Sequence, residues 1–211
     1  DSKYCVRCGT PYRYAATYVG HLGEYECPAC GHARPSLDVA ARAISLDGLD
    51  AVTFSLSSPQ GEATVRLPLP GLYNVYNALA AAAVAITLDV PLATIVERLE
   101  RIRPAFGRLE RVELAGRRVL MLLVKNPAGA NEALRTLEHG GTLGTLVVAL
   151  NDAIADGRDV SWIWDVDFEP LLARAGHVVV SGSRAEELAL RFLYGGLPEH
   201  RLEVVPDLEA A

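Results

Sequence analysis

At 211 residues, half of them hydrophobic and 22% charged, the chain has room for one large globular domain or two small ones. Its formal charge of −6 argues against a general nucleic-acid binder, which needs a basic field to neutralise phosphates. No uncharged apolar run approaches the ~20 residues of a membrane helix. The longest, Ala78 to Leu88, is Ala-rich and stops at Asp89, so it reads as a buried helix in a soluble protein with no transmembrane segment.

The chain begins at Asp1 and has its only methionine at Met121, so it reads as cleaved or as an excerpt of a longer protein. Cys5-Val6-Arg7-Cys8 and Cys27-Pro28-Ala29-Cys30 are two C-x-x-C knuckles separated by 18 residues. Each turn points two sulfurs at one place, and two such turns supply the tetrahedron of thiolates that zinc takes in structural sites. Gly9 and Gly31 follow the second cysteine of each knuckle, where tight turns use positive φ. The alternatives are two disulfides or a redox pair; the matched spacing and matched glycines favour zinc. Four thiolates close the site, so the metal is expected to be structural, and His32 reads as a surface residue. Between the knuckles, Pro11 to Glu26 reads as a β-hairpin. Residues 1–35 are nearly neutral, which disfavours phosphate tracking.

Alternation from Ala40 to Leu69 predicts two or three strands, with turns near Asp47-Gly48 and Pro59-Gln60-Gly61. A helix is expected from Val75 to Leu88 and a second from Pro91 through Arg101, before Pro104 and Gly107 break the pattern. Then strands and helices alternate: strand Arg118–Val124, helix Pro127–Leu137, strand Thr145–Leu150, helix Phe168–Ala175, strand His177–Ser181, helix Ala185–Leu193 and a short strand near Leu202–Val205. That rhythm predicts an α/β domain with a mostly parallel sheet covered on both faces. The boundary is expected near 105–110, and the chain stops at Ala211 as another helix seems to begin.

In open α/β sheets, functional groups gather beyond the C-terminal ends of strands. The segment after Leu150 is the most unusual of the chain. It runs Asn151-Asp152-Ala153-Ile154-Ala155-Asp156-Gly157-Arg158-Asp159 and on to Ser161-Trp162-Ile163-Trp164-Asp165, with both tryptophans and five aspartates between 152 and 167. A solvated acidic loop is the plain reading. The acidic spacing does not match the alternating ligands of an EF-hand.

Three short motifs in order resemble the Mur ligases. Gly71-Leu72-Tyr73-Asn74-Val75-Tyr76-Asn77-Ala78-Leu79-Ala80-Ala81 resembles the segment that closes their central ATPase domain. Gly107-Arg108-Leu109-Glu110 resembles their later Gly-Arg element. Lys125-Asn126-Pro127-Ala128-Gly129 stands where that superfamily opens its Rossmann-like C-terminal domain. The four-cysteine insertion and the Asn151–Asp165 run narrow the resemblance, which covers nearly the whole chain, to the MurT branch.

The resemblance implies a zinc-ribbon insertion at 1–35, the remainder of a Mur ligase central domain at 36–107, and a C-terminal Rossmann-like α/β domain at 108–211, truncated at its end. It implies a cytoplasmic carbon–nitrogen ligase of peptidoglycan synthesis. ATP, with Mg2+, activates the α-carboxyl of D-glutamate in lipid II as an acyl phosphate, and ammonia from a glutaminase subunit, GatD, displaces the phosphate to give D-isoglutamine. Asn74, Arg108 and Asn126 are implied to contact the nucleotide. Asp152 or Asp156 is implied to complete the partner's Cys-His pair, with Asp152 preferred because it stands closer to a rigid strand.

The sequence departs from the family in three places. Tyr73 replaces the usual histidine before Asn74. Lys125-Asn126-Pro127 replaces an Asp-x-x-His-x-Pro opening. No G-x-x-x-x-G-K-[ST] loop exists, since neither Lys3 nor Lys125, the only lysines, follows a glycine. The phosphate cradle is therefore expected upstream of Asp1, and this chain alone is expected to be inactive. Other readings are another Mur-type amide ligase, such as a folylpolyglutamate synthase, or a non-catalytic zinc-ribbon protein-binding module.

Overall fold

The computed structural model describes residues 3–18, 22–103, 108–138 and 143–207, without the side chains of Arg108 and Leu109. The chain divides into two compact units, one of residues 1–47 and 51–102, the other of 48–50 and 103–211. Among the described residues no helix is long and apolar enough to cross a membrane.

The first unit opens with an antiparallel hairpin, β1 (Arg13–Thr17) and β2 (Gly23–Glu26), which carries the two cysteine knuckles at its base. A second antiparallel sheet has the order β3 (Ala40–Asp47), β4 (Ala51–Ser58), β5 (Gly61–Leu67). Val52, Phe54 and Leu56 of β4 alternate inward with Val65 and Leu67 of β5, the two-residue period that gives a sheet one apolar face. Helices α1 (Leu72–Thr87) and α2 (Leu92–Glu100) complete this core with Val75, Ala78 and Ala82, and with Ile95 and Leu99. Alanines at the contact let α1 approach its neighbours closely. The chain leaves α1 through Asp89 at φ +58, a conformation that a short polar side chain tolerates.

The second unit departs from expectation at its start. An antiparallel hairpin of β6 (Arg108–Leu114) and β7 (Arg117–Leu122) takes up the segment read as the first strand of the parallel sheet. Ala115 and Gly116 both have positive φ, the conformation of a two-residue hairpin turn, and such a turn returns the chain antiparallel. The parallel sheet itself has three strands in the order β10 (Leu202–Val205), β9 (Ala175–Ser181), β8 (Leu143–Ala149). Parallel neighbours need crossovers, supplied by α4 (Glu169–Arg174) between β8 and β9 and by α5 (Ala185–Tyr194) between β9 and β10. Helix α3 (Pro127–Glu138) precedes β8. Val178 and Val180 of β9, Leu172 of α4, and Leu188 and Phe192 of α5 are all buried in one core with Ile163 and Val166 from the long loop after β8.

Candidate metal centre and loop site

The two knuckles are near copies of each other. Gly9 N–H donates to the Cys5 carbonyl at 2.8 Å, and Gly31 N–H to the Cys27 carbonyl at 2.9 Å. Cys5 N–H donates to the Thr10 carbonyl and Cys27 N–H to the His32 carbonyl, each at 2.8 Å. Gly9 and Gly31 sit at φ +72 and +69, so both turns close through a conformation that favours glycine. The four sulfurs lie within 4.8 Å of one another, with Cys5 and Cys30 3.5 Å apart and Cys8 and Cys27 3.4 Å apart. A tetrahedron with Zn–S bonds of ~2.3 Å has edges of about 3.8 Å, so the donor set fits one zinc ion after an adjustment of tenths of an ångström.

The electrostatics point the same way. Burial raises the Cys5 thiol, but backbone hydrogen bonds at Arg7 and Cys8 and contacts with Tyr12 and Cys30 outweigh it and bring it down to about 6. Cys30 runs the other way: a backbone hydrogen bond at His32 lowers it, yet burial and the three neighbouring sulfurs push it up to about 12. Four thiolates at this spacing repel, and a cation relieves that repulsion. His32, read as a surface residue, is half-buried; its Nδ1 lies 2.6 Å from the Tyr12 hydroxyl, and its ring stands among Tyr12 and Tyr25.

The residues implied to meet a nucleotide have structural work of their own. Asn74 lies inside the first turn of α1, is 8% exposed, and donates from Nδ2 to the Pro70 carbonyl at 2.8 Å. Its Oδ1 accepts from Asn77 at 3.3 Å. The helix starts at Leu72, with Gly71 at its N-cap, so Asn74 is no cap for a helix starting at Val75. Asn126 Oδ1 accepts from Gly129 N–H at 2.7 Å and caps α3, whose first residue is Pro127, the favoured pairing at a helix start. Arg108 opens β6, and its side chain lies outside the described residues.

Asp152 stands where its place after β8 directs it, beyond the C-terminal edge of the parallel sheet. Two loops are laced together there. Leu150 N–H donates to the Ser181 carbonyl and Arg184 N–H to the Leu150 carbonyl, both at 3.0 Å. Ser183 N–H donates to Asn151 Oδ1 at 3.0 Å, and the Ser183 hydroxyl to Asp152 Oδ1 at 2.8 Å. Arg184 Nη1 lies 3.5 Å from Asp152 Oδ2, while the rest of its guanidinium pairs with both carboxylate oxygens of Glu187. Gly182 lets the loops meet: a Cβ there would lie 2.4 Å from the Leu150 carbonyl oxygen.

Asp156 is placed differently. It is exposed, its N–H donates to the Ala153 carbonyl at 2.9 Å, and Gly157 follows at φ +96, so it belongs to a turn. Asp159 Oδ1 accepts from Ser161 N–H at 2.9 Å, and hydrogen bonding to Ser161 lowers its pKa. Ser161–Asp165 form a short 3-10 helix. Beneath it runs Arg191, 6% exposed, which donates to the Ile163 carbonyl at 3.2 Å and the Val166 carbonyl at 2.7 Å, and pairs with Glu169 at 2.8 Å. A groove of about 340 Å³ lies beside it, walled by Arg158, Asp159, Trp164, Arg184, Glu187 and Leu190. Sequence reading missed Gly182, Ser183, Arg184 and Arg191. The one signal available was that the Gly-Ser-Arg run follows a parallel strand next to the one bearing Asp152.

The comparisons bear on this second site. Residues 123–211 match the MurT ligase C-terminal family. Over that span the chain is similar to MurT ligase C-terminal domains. Over 206 residues the chain is 32% identical to the Streptococcus pneumoniae protein named lipid II isoglutaminyl synthase (glutamine-hydrolyzing) subunit MurT, covering 97% of this chain and 45% of that one. The chain thus spans less than half the length of the curated MurT relatives it matches. A pseudomurein peptide ligase type C from Methanothermus fervidus superposes with a TM-score of 0.72 at 26% identity, covering 99% of this chain and 39% of that one. MurF from Acinetobacter baumannii gives 0.63 at 30%, covering 82% and 37%. The fold is the Mur ligase-like α/β fold, and the loop from Asn151 to Asp165 rims its parallel sheet.

Proposed function

We propose that this chain acts within a MurT-type ligase that amidates the α-carboxyl of D-glutamate in lipid II to D-isoglutamine. In this reading residues 1–35 are a zinc-ribbon insertion, 36–107 the remainder of the ATPase domain and 108–211 the C-terminal domain. A carboxylate cannot be amidated directly, because oxide is no leaving group. ATP phosphorylates it, ammonia attacks the acyl carbon, and phosphate departs. Ammonia comes from glutamine, hydrolysed by a glutaminase subunit of the GatD type, on the cytoplasmic side of the membrane that holds the lipid substrate. Zinc holds the ribbon shut. No G-x-x-x-x-G-K-[ST] cradle is present in this sequence, so the nucleotide phosphates fall to residues outside it.

The observation that carries the reading is the placement of Asp152. Its carboxylate, 37% exposed, is oriented by Ser183 just beyond the end of β8, in a segment similar to that of subunits named MurT. A Cys-His glutaminase needs a third group to orient its histidine and stabilise the imidazolium. Asp152 supplies that group across the subunit interface. The test is a full-length complex given lipid II, ATP and glutamine labelled with 15N in its amide. Label in the lipid-linked peptide, dependent on both subunits, supports the reading; an unlabelled peptide rejects it.

A further inference from the structure

Asp152 is the only acidic side chain of its loop, among the described residues, held by groups from the β9 side of the sheet. Three contacts define the arrangement. The Ser183 hydroxyl donates to Oδ1, the Asp152 backbone N–H donates to Ser183 Oγ at 3.3 Å, and Arg184 faces Oδ2. A carboxylate offers about four acceptor positions, so these partners leave Oδ2 able to take a further N–H. Arg184 is itself tied to Glu187 one turn along α5, and that pairing, with the charges of Glu187 and Asp152, raises its pKa. The guanidinium therefore presents its charge to Asp152 from a fixed place.

We propose that Ser183 and Arg184 are positioning residues for Asp152: Ser183 fixes the direction of the carboxylate, and Arg184 sets the net charge presented to a partner's imidazole. The inference rests on the reading of Asp152 given above. Its physical content is a division of labour. A hydroxyl adds no charge, so losing Ser183 loosens geometry without changing the field at the imidazole. Losing Arg184 changes the field: with the cation gone and Glu187 unpaired, the imidazolium is better stabilised and the imidazole titrates at higher pH. Neutralising Glu187 leaves the cation in excess and moves that titration down.

The experiment is glutamine hydrolysis by the assembled full-length complex across about pH 6 to 10, where the histidine limb of the profile is read. Ser183→Ala should lower kcat roughly tenfold, the rate equivalent of one orienting hydrogen bond, with KM and pH profile unmoved. Ser183→Thr should restore it. Arg184→Gln should move the imidazole limb up by about half a unit, Glu187→Gln should move it down, and Arg184→Lys should leave it in place, shifts of the size expected for a unit charge acting through partly exposed groups. A wild-type kcat in Ser183→Ala, or a profile unmoved in both Arg184→Gln and Glu187→Gln, overturns the inference while an inactive Asp152→Asn upholds the reading beneath it. A fully active Asp152→Asn takes down both. If Arg184→Gln fails to assemble, the sign of the Glu187→Gln shift decides.

Discussion

The Arg191 guanidinium lies 5.8 Å from the centre of the Trp164 ring while its nitrogens hold the Ile163 and Val166 carbonyls. One buried side chain thus ties α5 to the 3-10 helix that rims the site. Both carbonyl donors would be lost in Arg191→Ala. Unpaired buried acceptors cost about 1–3 kcal/mol each, and the pair with half-exposed Glu169 adds little, so a loss of roughly 3 kcal/mol is expected. Urea denaturation followed by tryptophan fluorescence reads it. A midpoint within error of wild type would show that the carbonyls find other partners.

Glu169 gives a pH signature to the same cluster. Arg191 donates to it and holds its carboxyl below the ordinary value, against a smaller opposing effect of burial. A depressed folded pKa contributes stability that is present above the unfolded value of about 4.3 and lost as pH falls through the folded one. Glu169 is half exposed, so solvent screening keeps the contribution under about 1 kcal/mol. The stability difference between wild type and Glu169→Gln should therefore be present at neutral pH and shrink below the ordinary carboxylate range. A difference constant down to acid pH would assign it to packing instead.

Gly182 is where the two loops of the site touch. Its φ is +93, and a Cβ would meet the Leu150 carbonyl oxygen at 2.4 Å and Asn151 Oδ1 at 2.7 Å. The first contact is backbone and cannot swing away. Gly182→Ala should cost roughly 2 kcal/mol or more from the backbone conformation and the clash together. It should also displace Asn151 and Asp152, so under the proposed function glutamine hydrolysis by the complex should fall with stability. A variant as stable as wild type would mean that the loops separate freely.

The metal centre predicts one zinc per chain. Removing one ligand in Cys27→Ser should lower metal content well below one equivalent, and a chelator should abolish the β1–β2 hairpin signals. Protons compete for thiolates, so zinc should be released as pH falls, and binding should release protons. A metal-free ribbon with its fold intact under reducing conditions would reject the site.

What could be read from residues alone follows the range of the interactions. The knuckles were legible because four cysteines and two glycines repeat at short spacing, and the parallel strands because their apolar runs alternate with helices. The β6–β7 hairpin was hidden because its turn is Ala115-Gly116 and not the Asn-Gly or Asp-Gly that signals one. Ser183 and Arg184 meet Asp152 from about 30 positions away, and nothing local marks them. Arg191 reads as the polar face of a helix until the carbonyls of the loop after β8 are laid against it. Asn126 carried both signals, a place in a family motif and an Asn-Pro helix start, and only the second has a visible partner.

The last prediction separates the two aspartates on which the reading turns. Asp152 stands three residues past the end of β8, is held by Ser183, and faces Arg184; Asp156 sits exposed in a turn closed by Gly157. A group that orients a histidine must itself be held to within a fraction of an ångström, which favours the residue with a hydroxyl on one oxygen and a strand behind it. Asp152→Asn keeps the shape and removes the charge, so hydrolysis should fall by orders of magnitude. For comparison, the same change in an established triad costs about 10⁴ in kcat. Asp156→Asn keeps a residue that turns also favour, and hydrolysis should stay within about twofold of wild type. Both variants should assemble with the partner as wild type does, since neither side chain is buried. Full hydrolysis in Asp152→Asn together with loss in Asp156→Asn would move the role to the turn, and with it the approach of the partner's imidazole from the strand end to the loop tip.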